Sequence, residues 1–463
     1  MEELYKEIHQ ALASTIKGTI LPTNEGVAAK YYTDFGSISY KQPKIIVQAI
    51  CEQDICHTLK IANTYNKKVT IRGAAHSVNG QTVTDEILLI NYCPDQEDQI
   101  VLLEDDLVQT PTCVTWGTLE KKLNQYNRSC PVLTDNLISS IGGTLSICGI
   151  GERSIKNGTQ IDQIVRLKMI LPDGRTMWCS ENENSDLFKY SIGSLGSLGV
   201  IATVVMKTIP RKTTINHSYP IPNKTSDDLD NALNKFIQIT QHQPTPDCLC
   251  MALHFEGVMK DFSRILYGYE HSPDEANTSL NNTIFSDELP STTEPNHCIE
   301  SHNTISTWCK QFTDHKKIWI DYFFNPEQAK LFMQKLKSTP MAPYLSCLYF
   351  VAQKRPAEAP VLPLHPLQLK NKLYISIGGY FHIAPNDEKG LLHTKNIINE
   401  LTTECLAIGG KPYLYGTIDL NNSNIRTIYG NNYDELIKMK HTYDPKNTLS
   451  SPLINIKLDN ASR

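Results

Sequence analysis

The chain has no excess of basic residues: 44 Lys and Arg stand against 49 Asp and Glu, a formal net charge of −5. General nucleic-acid binding needs clustered Lys and Arg facing phosphates, so that class is not expected. Nothing reaches the roughly 18 consecutive apolar residues of a membrane span. At the N-terminus, Met1-Glu2-Glu3-Leu4-Tyr5-Lys6-Glu7-Ile8 has acids where a secretory signal carries bases, and no apolar stretch follows. A cytoplasmic location is the resulting expectation. None of the 13 cysteines forms a C-x-x-C pair and their number is odd, which favours scattered reduced thiols over a disulfide framework. The 14 histidines include no H-x-x-x-H or H-E-x-x-H, so no metal site is expected. Internal repeats and low-complexity tracts are also absent.

What remains is an ordinary globular composition, 40% hydrophobic and 20% charged over 463 residues. At ~150 residues per domain that length suggests two to four domains. Residues 43–92 read as an α/β unit: Ile55, Leu59 and Ala62 recur at helical spacing, Lys67–Ile71 is strand-like, and Ile87–Ile90 forms a second short apolar run. Val108–Thr115 reads as a strand and Thr118–Tyr126 as a short helix. Residues 164–180 alternate into a hairpin that turns at Pro172-Asp173-Gly174, and Val200–Ile209 is a β-branched strand. Beyond about residue 211 the character changes to an antiparallel α+β pattern. Strand-like runs at Lys317–Phe324, Leu345–Ala352 and Leu373–Ile383 surround a helix opened by Asn325 and Pro326. A second helix over Asp387–Ile408 stops at Gly409-Gly410. His271–His297 is polar and reads as a surface excursion.

Three segments could carry chemistry. In Ile71-Arg72-Gly73-Ala74-Ala75-His76-Ser77-Val78-Asn79-Gly80-Gln81 a strand delivers small residues, whose backbone N–H groups can approach a diphosphate closely. His76 there is either a point of covalent attachment for a flavin or a polar loop residue. In Leu133–Ile150, Gly142, Gly143 and Gly149 with intervening Ser and Thr could wrap a phosphate or a flavin edge. Asp135, just ahead, is either a turn-forming residue or a functional carboxylate. In Ser185–Ile201 the glycines at 193, 196 and 199 lack the G-x-G-x-x-G spacing and lead into a strand, so a Rossmann fingerprint is rejected.

Taken together, the order and spacing of these segments resemble the flavin-binding domain of the vanillyl-alcohol-oxidase (PCMH-type FAD-binding) superfamily, and within it the cytokinin dehydrogenases. The likeness runs through Thr33-Asp34-Phe35-Gly36, Arg72-Gly73-x-x-His76-Ser77-x-x-Gly80-Gln81 and Thr134-Asp135-x-Leu137. It continues through Gly142-Gly143-Thr144-Leu145-Ser146-x-x-Gly149-Ile150, Asn157-Gly158-x-Gln160-Ile161, Asn184-Ser185-Asp186-Leu187-Phe188 and Gly196-x-x-Gly199-Val200-Ile201. Near the C-terminus it includes Pro412-Tyr413-Leu414 and Tyr443-Asp444-Pro445-Lys446-Asn447-Thr448-Leu449-Ser450. Nearly all of residues 1–210 and the last 50 are covered; the middle is covered thinly.

The resemblance implies an α+β, two-domain PCMH-type FAD-binding fold: an FAD-binding domain from residues 1–210 and 411–463, and an α+β substrate-binding cap domain from 211–410. It implies FAD as cofactor, with His76 at the histidine that the family joins to the flavin. Ile71, Gly73, Ala75, Ser77, Gln81, Asp135, Ser140, Ser146, Ile150, Val200 and Tyr413 fall on cofactor-contacting positions. Asp135 also falls on the aspartate that takes a proton from a secondary amine, while a hydride goes to flavin N5 and the imine hydrolyses to amine and aldehyde. Tyr344, in Pro343-Tyr344-Leu345, corresponds to a tryptophan beside the substrate, and Leu414 would close the pocket. The implied partners are a small-molecule substrate and an electron acceptor, oxygen or a quinone. Two departures stand out: Ala75 replaces a glycine usual in the family, and Ser451-Pro452-Leu453 replaces a Pro-Gly-Gln. Two enzyme alternatives are a sugar, lactone or alditol oxidase of the same superfamily and an oxidase of some biosynthetic intermediate. A flavin-fold binding protein is the non-enzyme alternative; purified protein without colour would favour it.

Overall fold

The structure is a computed structural model that describes residues 2–222, 225–255, 263–272, 283–286, 288–294, 312–341, 343–418 and 422–450. Ser451-Pro452-Leu453 therefore lie outside the described residues, as does much of the 271–297 stretch.

Three sheets organise the chain. The first has the order β1 (Thr19–Leu21), β2 (Ile45–Gln48), β4 (Ile87–Ile90), β3 (Val69–Arg72). Its strands β2, β4 and β3 are parallel and buried on both faces, which accounts for the unbroken apolar runs Ile45–Val47 and Ile87–Ile90. The helix Glu52–Thr64 makes the crossover from β2 to β3, burying Ile55, Leu59 and Ala62 together with Ile8 and Leu12 of the first helix.

The second sheet is antiparallel, in the order β5 (Val101–Leu102), β6 (Leu107–Pro111), β10 (Val200–Lys207), β8 (Ile164–Ile170), β9 (Thr176–Ser180). The β8–β9 hairpin turns where the sequence predicts, with Gly174 at φ +84°. A short pair, β7 (Arg128–Ser129) and β11 (Ile209–Pro210), closes this region.

The third sheet has eight antiparallel strands, in the order β15-β12-β14-β13-β17-β18-β16-β19. They are β12 (Thr213–Pro220), β13 (Cys248–His254), β14 (Arg264–His271), β15 (Leu289–Glu294), β16 (Lys316–Phe324), β17 (Leu345–Lys354), β18 (Leu373–Ile383) and β19 (Lys411–Pro412). One face is covered by the helices Ser226–Gln241, Pro326–Ser338 and Glu388–Ala407 over a core of Phe236, Leu249, Tyr267, Tyr322, Phe332, Phe350 and Leu401. Alternation along each strand sends the other residues to the opposite face, toward the first two sheets. Within the 271–297 stretch, Leu289–Glu294 is an edge strand paired with β12, and its residues 289–293 are exposed at the surface.

The C-terminal residues return to the first half of the chain. Ile425, Tyr429, Tyr433 and Leu436 join the core of Trp116, Leu119 and Phe188. Lys440 is buried and donates to the Asp444 carboxylate at 2.5 Å and to the carbonyls of Ser197 and Leu449 at 2.8 Å each. The chain then runs beside β3, where Val69 N–H donates to Thr448 O at 2.7 Å and Ser450 N–H to Val69 O at 3.1 Å. A second buried tie joins residues distant in sequence. Arg355 donates to Asp162 at 2.9 Å, and His365 lies 3.4 Å from the same carboxylate. Burial alone would raise the Asp162 carboxyl, but His365 and Arg355 hold it below the usual carboxylate range.

Candidate active site

Between the eight-stranded sheet and the first two sheets lies a cavity of about 660 Å³, inside the ~300–1,000 Å³ range of ligand pockets. One wall is the loop after β3. Arg72 fixes its base by donating to Thr33 O at 2.8 Å and Lys30 O at 3.0 Å. Asp34 ties its far end, accepting from Gly80 N–H at 2.7 Å and Gly36 N–H at 3.1 Å. Burial pushes the Asp34 carboxyl up, against those bonds and the nearby Arg72. Between these anchors Gly73, Ala74, Ala75, His76 and Ser77 line the cavity, and Gln81 just beyond them does too. Ala75 has φ +57°, in the left-handed region that favours glycine, which gives a conformational reason for glycine at this position.

The second wall is the segment around the short helix Ile141–Leu145. Asp135, Ser140, Gly142, Gly143, Ser146 and Ile150 line it, and Ser140 Oγ accepts from Ala74 N–H at 3.3 Å, which joins the two loops. At Gly73 a Cβ would stand 2.2 Å from Ser140 Oγ, and at Gly199 one would stand 2.8 Å from Ile170 O. This small-residue cradle, rich in backbone and hydroxyl groups, fits a long cofactor with a diphosphate.

The ceiling is the eight-stranded sheet: Trp319 and Asp321 on β16, Cys347, Tyr349 and Val351 on β17, Tyr380 on β18, with Tyr413 and Tyr415 just after β19. His76 stacks on Phe35 with ring centroids 4.3 Å apart and lies 5.0 Å from the Trp319 ring, with its Nε2 against the Asn136 carboxamide. Tyr380 and Tyr415 hydroxyls are 3.3 Å apart. Asp321 is 6% exposed and its Oδ1 has no hydrogen-bond partner. Burial pushes its carboxyl well above the usual range, and the charge of Asp135 adds to the effect. Burial and Asp135 likewise push the Tyr349 phenol well up. Burial and the Asp135 charge thus both favour the protonated form of Asp321, which lines the same cavity as Asp135.

The structure brings Ile71, Gly73, Ala75, His76, Ser77, Gln81, Asp135, Ser140, Ser146, Ile150, Val200 and Tyr413 to this one cavity. Tyr344 and Leu414 do not line it. The Tyr344 hydroxyl donates to Asp387 at 2.9 Å, at the start of the helix Glu388–Ala407, and the tryptophan on the cavity is Trp319. Leu414 turns into the core with Leu362 and Leu364, because the chain alternates and Tyr413 and Tyr415 take the cavity side. Trp319, Asp321, Tyr349, Tyr380 and Tyr415 were not expected from the sequence. A signal existed for Asp321: it is a lone charge inside the apolar run Ile318–Phe324. Among the described residues no helix is long and apolar enough to cross a membrane.

Comparison with known proteins gives four findings. Residues 43–180 match an FAD-binding domain. Cytokinin dehydrogenase 1 of Arabidopsis thaliana is 29% identical over 174 residues, covering 36% of this chain and 30% of that protein. L-gulonolactone oxidase of Mus musculus is 28% identical over 200 residues, covering 42% of this chain and 44% of that protein. The chain thus matches less than half the length of each of these relatives. A solved chitooligosaccharide oxidase superposes with a TM-score of 0.75 at 16% identity, covering 96% of this chain and 98% of that one. Residues 43–180 accordingly form an FAD-binding domain, with FAD as its cofactor, and the chain shares the fold of the solved oligosaccharide oxidase.

Proposed function

We propose that the protein is an FAD-dependent oxidoreductase acting on a secondary N-alkyl amine in the manner of a cytokinin dehydrogenase. The observation that carries this reading is Asp135, a carboxylate on the wall where the glycine-rich segment meets the eight-stranded sheet. Gly73, Ala75, Ser77, Gln81, Ser140, Ser146, Ile150, Val200 and Tyr413 would hold the cofactor, with His76 as the point of a covalent link. Bound FAD supplies a hydride acceptor. Asp135 accepts the proton of the substrate N–H, so that the electron pair left on nitrogen forms the C=N bond as the C–H bond breaks. General-base help of this kind is typically worth ~100- to 10,000-fold. Water then hydrolyses the imine to a primary amine and an aldehyde. Trp319 offers an apolar face to the alkyl chain, and Asp321, whose protonated form burial favours, offers a hydrogen-bond donor to an acceptor atom beside the amine.

An oxidase of sugars or lactones is the second reading. It is favoured by the cluster of Tyr349, Tyr380 and Tyr415 with Asp321, which suits hydroxyl-bearing substrates. One experiment separates the two: the absorbance of purified protein from 300 to 550 nm, before and after anaerobic addition of isopentenyladenine. Bands that bleach support the amine reading. Bands that persist with the amine but bleach with a sugar or lactone overturn it in favour of the second.

A further inference from the structure

Two cysteines that stand 20 positions apart in sequence meet just outside the cavity. Cys93 follows the parallel strand β4 and Cys113 the antiparallel strand β6, so they extend from different sheets. Cys93 N–H donates to Cys113 O at 2.9 Å, which sets the two Cα atoms at about the 5 Å of paired strands. A disulfide spans Cα atoms roughly 4.4–6.8 Å apart, so this spacing suits one. Cys113 is buried in the core around Trp116, and Cys93 packs half-buried against it. Neither is in a disulfide: the Cys93 thiol donates to Ala49 O at 3.4 Å and the Cys113 thiol to Gln96 Oε1 at 3.3 Å.

The two thiols also face each other. A hydrogen bond from Cys113 draws the Cys93 thiol below its usual range, against burial and the carboxylates of Asp54 and Asp95. The same bond, with burial, pushes the Cys113 thiol far above it. Burial pushes the thiols of Cys56, Cys148, Cys179, Cys250 and Cys405 upward too. Thiolate character with partial exposure makes a cysteine reactive, and a second thiol at hand resolves the product. Each cysteine also adjoins a cofactor wall. Asn91, two residues before Cys93, lines the cavity, and its N–H donates to Arg72 O at 2.8 Å, at the base of the His76 loop. Thr112, next to Cys113, lines it as well and accepts from Gly142 N–H at 2.9 Å in the glycine-rich segment.

We propose that Cys93 and Cys113 are a modification site: a dithiol that hydrogen peroxide converts to a disulfide, clasping the first sheet to the second beside the cofactor loops. The Cys93 sulfur attacks one peroxide oxygen and the O–O bond breaks, which leaves Cys93 as a sulfenic acid and releases the other oxygen as water. The Cys113 sulfur then displaces the sulfenic hydroxyl as a second water and gives up its proton. Two thiols thus lose two electrons, and one peroxide becomes two waters. Neither thiol lines the cavity, so the modification is independent of which substrate the protein takes.

The test starts from FAD-loaded protein reduced with dithiothreitol, freed of it and treated with hydrogen peroxide. Remaining thiols are alkylated with iodoacetamide in urea, and the chain is cleaved after glutamate. That cleavage puts Cys93 in Ile87–Glu97 and Cys113 in Asp105–Glu120. The two peptides are expected joined, lighter than their sum by two hydrogens, before Cys51 or Cys56 loses its alkylation. The oxidised protein should melt several degrees above the reduced one, because a bond closing a loop of this length restricts the unfolded chain. Dithiothreitol should reverse both changes, and Cys93→Ser, at a half-buried position, should show neither. Two separate peptides after peroxide, a bond from Cys93 to another cysteine, or linkage only in protein unfolded by urea overturns the site. Joined peptides with an unchanged Tm, or a Tm rise that survives in Cys93→Ser, overturn the clasp.

Discussion

Gly151 has no side chain because the Leu133 carbonyl occupies the space where one would be. A Cβ at this position would stand 1.7 Å from Leu133 O and 2.8 Å from its carbonyl carbon. Both atoms are backbone and Leu133 is itself packed in the core, so the strain cannot be relieved by turning a side chain. In Gly151→Ala the Leu133 carbonyl must retreat by more than an ångström, and Asp135 follows two residues later. Forcing extra carbon into a packed site typically costs about 1–3 kcal/mol, and a displacement of about 1 Å in a catalytic group can cost 10²-fold in rate. We therefore expect Gly151→Ala to lower Tm by several degrees and to slow anaerobic flavin reduction by roughly 100-fold. Gly26→Ala is the control, since a Cβ there meets nothing within 4 Å. If Gly151→Ala matches Gly26→Ala in both Tm and reduction rate, the coupling from Gly151 through Leu133 to Asp135 is wrong.

Asp135→Asn should keep its flavin spectrum and reduce it ~100- to 10,000-fold more slowly; an unchanged rate removes Asp135 from the mechanism. Acid precipitation should release flavin from His76→Ala but not from wild type, and release from wild type disposes of the covalent link. Asp321→Asn reports on pH. In the unfolded chain this carboxyl ionises above about pH 4, whereas in the folded protein burial keeps it protonated well beyond that. Wild type therefore loses stability as pH rises through this interval, and the amide, which cannot ionise, does not. The Tm advantage of Asp321→Asn should grow from acidic to mildly alkaline buffer; a flat difference means the carboxyl is not held neutral. Asp444→Ala leaves the buried Lys440 without its counter-charge, and urea unfolding should show a loss of about 3 kcal/mol. An unchanged midpoint would show that the two carbonyls hold Lys440 unaided.

Local chemistry made much of this protein legible before its fold was known. The crossover helix is marked by Ile55, Leu59 and Ala62, the 164–180 hairpin by its alternation and its Pro-Asp-Gly turn. The helix Pro326–Ser338 is marked by the Asn325 cap, whose side chain accepts from Gln328 N–H at 2.9 Å. Loop glycines and Asp135 sit in short, contiguous motifs, so the resemblance could assign them to one site, and the structure brings them to one cavity. The strands β12, β13 and β14 were not legible. Their cavity faces carry Asn216, Ser218, Cys250 and His254, where a buried strand in a dry core would carry apolar residues. That interrupts the hydrophobic alternation by which such strands are recognised.

Which residue faces the cavity is a property of the sheet. Tyr344 has the right character for a substrate contact, but it precedes β17 and bonds to Asp387, while Trp319 occupies the ceiling. Leu414 and Tyr413 are adjacent in sequence and point to opposite sides, a difference set by the register of β19 on β16. Asp321 is 186 positions from Asp135 in the chain. Its raised pKa arises because antiparallel pairing brings it under the same roof, out of water and near a second carboxylate. Residue order determined the chemistry of the cofactor loops, since those contacts are local. Long-range strand pairing decided the opposite wall of the cavity, because it comes from segments that meet only when the eight-stranded sheet closes over them.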